Sequence, residues 1–250
     1  MPQDRYFTAE ELFVHQQVEL SEEEAFHLSV VMRHSTGDCV ELVNGRGVCA
    51  KAIVEEKSKQ SARLSILSCR RESLSLPHIV LIQPLLPLSS LSQVVEKSVE
   101  LGVGEICLFP SERGKCISMG KREWRRLQQK AIAAMKQCGR LDLPALSLLP
   151  PIREWKERGE SFSRPLFYGE VQAKSSFLDW MQEREEVLSS LSFVVGSQKG
   201  FSQEEIRELS GQGEAICWNP HTLRAETAPI AFLAFLAAWL PHSSPPRVFS

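Results

Sequence analysis

An α/β fold with a mostly parallel sheet, preceded by a small, mostly β amino-terminal unit, is predicted by three features of this 250-residue sequence. From about Pro77 onward, short apolar runs alternate with amphipathic stretches, the pattern of parallel strands covered by helices on both faces. Before that point, two stretches of alternating apolar and polar residues flank Asn44-Gly45, the signal of a β-hairpin. Between Phe193 and Thr227 an apolar run twice breaks into a Gly- or Pro-containing turn and restarts as a helix. Such turns can lie side by side at strand ends, where α/β proteins bind ligands.

In chain order, Ser21 and Glu24 form a capping box that opens a helix reaching about His34. Asp38–Val43 and Val48–Val54 are the hairpin strands, and Ala62–Leu67 supplies another. The pattern changes at residues 72–77, which separates a domain over 1–74 from one over 75–250. Strands are expected at His78–Gln83, Glu105–Phe109, Ala145–Leu149, Pro165–Tyr168, Leu191–Val195 and Glu214–Trp218. Helices are expected at Ser90–Leu101, Lys121–Cys138, Ile152–Arg158, Phe177–Glu185 and Ser202–Leu209. Gly102 and Gly139 stand where helices should stop, and Ser202 with Glu205 forms a second capping box. The tail His242–Ser250, with Pro245-Pro246, is expected to dangle.

Apolar residues (43%) and charged residues (24%) occur at the levels of an ordinary soluble protein. The seven cysteines, Cys39, Cys49, Cys69, Cys107, Cys116, Cys138 and Cys217, are odd in number, with no Cys-x-x-Cys pair and no histidine at zinc-ligand spacing. Free thiols in a reducing cytoplasm are expected, with no metal. The amino terminus shows no secretory pattern. Ala228–Leu240, the most apolar run, has 13 residues, and a bilayer span needs roughly 20, so it is expected as a buried helix and no membrane is implied. The net charge of −2 hides an island: Arg113–Arg140 holds nine basic residues against Glu123 alone, leaving −10 for the rest.

Within that island, Trp124, Leu127, Ala131, Met135 and Cys138 share one helical face and are read as core. Arg122, Arg126 and Lys130 line a neighbouring face with Arg125 beside them, and no acid stands at i±4 on their row. A face of this kind can hold phosphates by counterion release. The turn Gly196-Ser-Gln-Lys-Gly200 is neither a Rossmann fingerprint nor a phosphate loop. Its weight comes from the second turn, Trp218–Thr227, which places Arg224, Glu226 and Thr227 at a helix start. The plain alternative is a surface Glu226 complementing the helix dipole and paired to Arg224. Only His221 of the six histidines falls in a candidate site, and no hydrolase constellation is present.

Several motifs, in order, resemble the bacterial RsmE-type small-subunit rRNA uridine methyltransferases of the SPOUT, or α/β-knot, superfamily. Arg5-Tyr6-Phe7, then His27-Leu28 leading to Val31-Met32-Arg33 with Gly37, are similar to that family's PUA-like amino-terminal barrel. Val95–Val103 followed by Pro110-Ser-Glu-Arg113, Ala131–Arg140 with Pro144, and Leu223-Arg-Ala-Glu-Thr227 resemble motifs of its catalytic domain. The resemblance implies a carboxyl-terminal trefoil knot and a homodimer in which each subunit completes the other's site. It also implies S-adenosyl-L-methionine held between loops at Leu166–Glu170, Gly196–Gly200 and Trp218–Leu223. The cofactor residues so implied are Leu166, Tyr168, Gly169, Gly196, Gly200, Trp218, Pro220, Leu223 and Thr227. The expected reaction is methylation of uracil N3 in 16S rRNA of the small ribosomal subunit.

In that reading Arg224 stabilises charge developing on the uracil carbonyls, with Arg140 as a second candidate. Glu226 accepts the N3 proton or orients Arg224, and Gln137 bonds the uracil edge. Arg33, Arg113, Arg122, Arg125, Arg126 and Lys130 grip RNA. Two turns depart from the family pattern. Gly196-Ser197-Gln198-Lys199-Gly200 stands for Gly-Pro-Glu-Gly-Gly, and Trp218-Asn219-Pro220-His221 stands for Leu-Gly-Pro-Arg. These departures keep two alternatives open: a relic that binds rRNA without cofactor, and an enzyme acting on tRNA or a ribose hydroxyl.

Overall fold

The computed structural model describes residues 4–72, 78–114, 118–183 and 188–240. The boundary residues 73–77, Lys115, Cys116, the expected helix end at Glu185 and the tail His242–Ser250 lie outside the described residues. Contacts group the described residues into two compact units, one of 4–72 with 132–143 and one of 78–131 with 144–240.

The first unit is a five-stranded half-barrel sheet in the order β1-β3-β4-β5-β2. Its strands are β1 (Arg5–Phe7), β2 (Gln17–Glu19), β3 (Cys39–Val43), β4 (Val48–Lys57) and β5 (Ala62–Arg71). The hairpin about Asn44-Gly45 joins β3 to β4 antiparallel, and the Asn44 side chain closes the turn by accepting from the amides of Arg46 (2.9 Å) and Val48 (3.3 Å). β1 and β2 have three residues each, too few to carry a period-2 signal. Alternate strand residues, among them Val40, Leu42, Ala50, Ala52, Val54, Leu64 and Ile66, pack with Tyr6 and Leu28 as the core.

The helix expected through His34 is shorter and changes character. α1 (Glu22–Phe26) passes into a π-helical turn at His27–Val31, where the Met32 amide reaches back to the His27 carbonyl (2.9 Å). Arg33 then adopts φ +59° and ends it. The Ser21 side chain caps the Glu24 amide, but the return half of the capping box is absent: Glu24 Oε1 accepts from Lys136 Nζ (2.5 Å) and Oε2 has no partner.

The second unit is a six-stranded sheet, β11-β9-β10-β6-β7-β8, in which every pairing is parallel. Its strands are β6 (His78–Pro84), β7 (Glu105–Phe109), β8 (Ala145–Leu148), β9 (Leu166–Gly169), β10 (Ser190–Val194) and β11 (Glu214–Ile216). The helices are α2 (Leu88–Glu100), α3 (Lys121–Cys138), α4 (Trp155–Arg158, entered by a 3₁₀ turn), α5 (Phe177–Gln182), α6 (Gln203–Ser210) and α7 (Thr227–Trp239). α3 has the expected bounds, and its residues from Ile132 group with the first unit. Leu127, Ala131 and Met135 are buried as expected, but Trp124 is only half-buried and Cys138 is exposed at the helix end. Gly102 (φ +92°) and Gly139 (φ +91°) end α2 and α3 in the left-handed region, as expected of helix stops. The capping box of Ser202 and Glu205 is complete.

α7 is apolar on every face. Pro229 is tolerated because it falls in the first turn, where its missing N–H would have no helical partner. Phe232 stacks on Phe193 of β10 (centroids 3.8 Å apart, 22° between planes), which seats α7 against the sheet.

Candidate active site

A cavity of about 460 Å³ lies at the carboxyl ends of β9, β10 and β11. Three loops and the start of α7 line it: Gly169–Gln172, Val195–Phe201, Ile216–Asn219 with His221–Leu223, and then Ala225 and Ala228. Parallel strands point their chain ends to one edge of the sheet, so loops far apart in sequence meet there.

The first loop depends on one close approach. A Cβ placed on Gly169 would stand 2.1 Å from Trp218 Cη2, so no larger residue fits while Trp218 keeps its place. That place is fixed by edge contacts of Trp218 with Phe193 (4.6 Å) and Phe232 (5.5 Å). Trp218 Nε1 itself is buried without a hydrogen-bond partner. Behind it, burial and then the Glu170 carboxylate raise the Tyr168 hydroxyl above its usual pKa.

The second loop closes on itself. Ser197 Oγ donates to the Gly200 carbonyl (2.8 Å) and accepts from the Lys199 amide (3.3 Å), and the Gly200 amide donates to the Ser197 carbonyl (2.9 Å). The third loop starts at the sheet edge beside β9, yet the fully buried Gln83 of β6 donates to the Ala225 carbonyl (3.1 Å). Residues 217–225 therefore cross the ends of β9 and β10 before α7 begins. Asn219 Oδ1 accepts from the His221 amide (2.8 Å) and tightens that crossing.

Arg224 and Glu226 flank Ala225 at the α7 start. Arg224 is exposed and has no ion-pair partner among the described residues, so the plain reading of an Arg224–Glu226 pair does not hold. Glu226 Oε2 is buried without a partner. Among the lining residues Glu170 is the one carboxylate and Lys199 the one lysine or arginine.

Of the expected cofactor residues, Gly169, Gly196, Gly200, Trp218 and Leu223 line the cavity, and so does His221. Leu166 and Tyr168 do not, because they share the strand face that packs into the core with Val80 and Ile82. Pro220 and Thr227 are exposed beside it and are not part of its wall. Gln137 and Arg140 belong to the first unit, where Arg140 pairs with Asp142. Arg33 is exposed in that unit, and Arg122, Arg125 and Arg126 are exposed on α3. Lys130 is not a free cation: Glu96 of α2 accepts from its Nζ (2.8 Å), a partner that spacing along α3 could not reveal. Gln83 was also missed; its one signal is a lone amide in an otherwise apolar strand.

Together these features define an α/β ligand-binding protein, with a site built for a molecule that has both apolar and polar parts. The chain belongs to the RNA methyltransferase domain family, which matches residues 72–237. It is similar to the ribosomal RNA small subunit methyltransferase E of Bacillus subtilis, 25% identical, covering 86% of this chain and 87% of that one. It is likewise similar to the enzyme of that name from Buchnera aphidicola, 24% identical over 93% of this chain and 92% of that one. A Legionella pneumophila methyltransferase in complex with its cofactor SAM superposes with a TM-score of 0.84, at 27% identity, over 94% of this chain and 96% of that one. The Neisseria gonorrhoeae ribosomal RNA small subunit methyltransferase E bound to S-adenosyl methionine gives 0.80, at 26% identity, over 95% and 98%.

The chain's own residues fit such a cofactor. Val195, Ile216, Leu223, Ala225 and Ala228 offer an apolar bed for a purine, and Glu170 a carboxylate for a cationic group. Glu170 lies on the loop after β9, and the Gly196–Gly200 turn has no carboxylate of its own. Among the described residues no group of three or more potential metal ligands occurs, and no helix is long and apolar enough to cross a membrane.

Proposed function

We propose that the protein is a cytoplasmic, S-adenosylmethionine-dependent methyltransferase that modifies N3 of a uridine in 16S rRNA of the small ribosomal subunit. The observation that carries this reading is the meeting of Gly169–Gln172, Gly196–Gly200 and Trp218–Leu223 around one cavity beside Arg224 and Glu226. Bound S-adenosylmethionine supplies an activated methyl group, so the chain need only orient the base and manage one proton. As N3 loses its proton, negative charge spreads to the flanking carbonyl oxygens. The exposed Arg224 guanidinium, without an acidic partner among the described residues, stabilises that charge. Glu226, whose Oε2 has no partner, takes the proton or orients Arg224.

The uracil must present its Watson–Crick edge and therefore reacts unpaired. Arg33, Arg113, Arg122, Arg125 and Arg126 hold the surrounding backbone. The crossing of residues 217–225 over two strand ends supports a trefoil knot in the carboxyl-terminal segment, and the half-barrel sheet supports a PUA-like first domain. Phe235 and Trp239, exposed on the wholly apolar α7, support a homodimer, in which Gln137 and Arg140 would act in a site completed by two subunits.

Calorimetry with S-adenosylmethionine, followed by methylation of small subunits from a strain lacking this protein, tests the proposal. Donor binding and a new reverse-transcription stop at one uridine of 16S rRNA are expected. No binding at millimolar donor would select the cofactor-free relic. Methyl transfer to tRNA or to a ribose hydroxyl, without that stop, would refute the assigned target.

A further inference from the structure

The Gly196–Gly200 loop has two faces, and the methyl-donor cavity occupies only one. On the other, Ser197, Gln198 and Lys199 line a second, smaller cavity of about 140 Å³ with Leu85, Leu86, Pro87, Arg113 and Gly114. Small-molecule sites commonly measure about 300–1,000 Å³, so this one suits a single chemical group and not a whole ligand. We infer that this cavity is a phosphate subsite for the RNA strand, with Lys199 and Arg113 binding a phosphodiester beside the target nucleotide. The inference rests on the proposed RNA methyltransferase reading and deepens it.

Three observations carry it. First, the cavity's two cations are not neutralised. Arg113 donates to a neutral acceptor, the Phe201 carbonyl (3.2 Å), and neither Arg113 nor Lys199 has an ion-pair partner among the described residues. The adjacent acid is otherwise engaged, since Glu112 accepts from Arg153 (3.4 Å) and from Ser202 Oγ (2.6 Å).

Second, hydrogen bonds tie down the loops on both sides of the cavity. Buried Glu205 accepts from the amides of Glu112 (3.0 Å) and Ser202 (2.8 Å), tying the loop that carries Arg113 to the start of α6. The Ser197 bonds to Gly200 and to the Lys199 amide fix the opposite wall. Arg113 and Lys199 are exposed on these two tied loops, with Leu85, Leu86 and Pro87 lining the cavity between them.

Third, Lys199 lines both cavities, so an anion it holds lies next to the donor site. A polynucleotide carries a phosphate on each side of every base. A base reaching toward Arg224 would bring one of its flanking phosphates within range of this loop.

The test compares the wild-type protein with Lys199→Gln, Arg113→Gln and Lys199→Arg, using small ribosomal subunits from a strain lacking this protein. Three quantities are read: donor affinity by calorimetry, subunit affinity by direct binding across a salt series, and the separate values of kcat and KM. For Lys199→Gln and Arg113→Gln, subunit affinity should fall five- to tenfold. KM should rise in step while kcat stays within about threefold, and donor affinity should change less than twofold. The slope of log affinity against log salt should lose about 0.7–0.9 per phosphate contact removed. Lys199→Arg should restore binding.

A tenfold loss of donor affinity with subunit binding intact would overturn the inference and assign Lys199 to the donor. Unchanged values throughout would also overturn it. If the wild-type protein neither binds donor nor transfers methyl groups, the proposed function fails; the salt-dependent binding series still decides the subsite.

Discussion

Gly169 and Trp218 illustrate how far one side chain can determine a site. The indole occupies the space a Cβ at residue 169 would need, so Gly169→Ala must displace Trp218 or shift the end of β9. Overpacking of this kind costs about 1–3 kcal/mol. A lowered unfolding midpoint in urea, together with at least tenfold weaker donor binding, is the expected result. Arg224→Ala should behave differently, because an exposed guanidinium contributes little to packing. Turnover on small subunits should fall about 10²–10³-fold, the usual effect of removing a donor to developing negative charge, while calorimetric donor affinity stays within twofold. Retained turnover would remove Arg224 from the mechanism. The thiols separate by environment as well. Burial pushes Cys49 up to about 11 and Cys107 up to about 12, so at pH 8 their reactive thiolate forms are scarce. Exposed Cys39 should be alkylated by iodoacetamide at pH 8 in the native protein, with Cys49 and Cys107 labelled only after denaturation.

Among the elements, α3 shows how a charged face is divided by its surroundings. Arg122, Arg125 and Arg126 stay exposed, whereas Lys130 is bound by Glu96 and Lys136 by Glu24. The hydrogen bond from Lys130, then that from Lys97, holds the Glu96 carboxyl below its usual range. A depressed carboxylate stabilises the fold above its unfolded pKa, and that contribution is lost as pH falls through the folded value. Arg122→Gln and Arg126→Gln should each lower the salt slope of RNA binding. Lys130→Gln should leave that slope nearly unchanged and shift acid unfolding instead. A slope that responds equally to all three would place Lys130 among the phosphate contacts. Gln83 acts through an element as well, since its amide fixes the loop that delivers Arg224. Gln83→Leu leaves the Ala225 carbonyl without this donor, a loss of about 1–3 kcal/mol. It should depress kcat more than donor binding.

At the scale of the molecule, the alternation of apolar runs and helices in the sequence was enough to indicate a parallel sheet, because each buried strand must be apolar and each covering helix amphipathic. Helix ends marked by Gly102, Gly139 and the Ser202–Glu205 box were legible for a similar reason: they depend on backbone geometry within a few residues. The same locality explains what was misread. The return half of the Ser21–Glu24 box does not form, and Glu24 instead binds Lys136, over a hundred positions away. Leu166 and Tyr168 sit in the right strand but on its core face, which proximity to a loop in sequence does not decide.

Short-range chemistry, written in consecutive residues, determined the kinds of elements, their stops and the loops that carry Gly169, Gly196 and Leu223. Only tertiary structure decided which strands are neighbours, and therefore that Gln83 holds Ala225, that Glu170 supplies the cavity's carboxylate and that Lys199 stands between two cavities. The reason is physical. Hydrogen bonds within a helix or turn are closed by residues a few positions apart, whereas strand order and the pairing of distant charges are settled by burial of the whole chain.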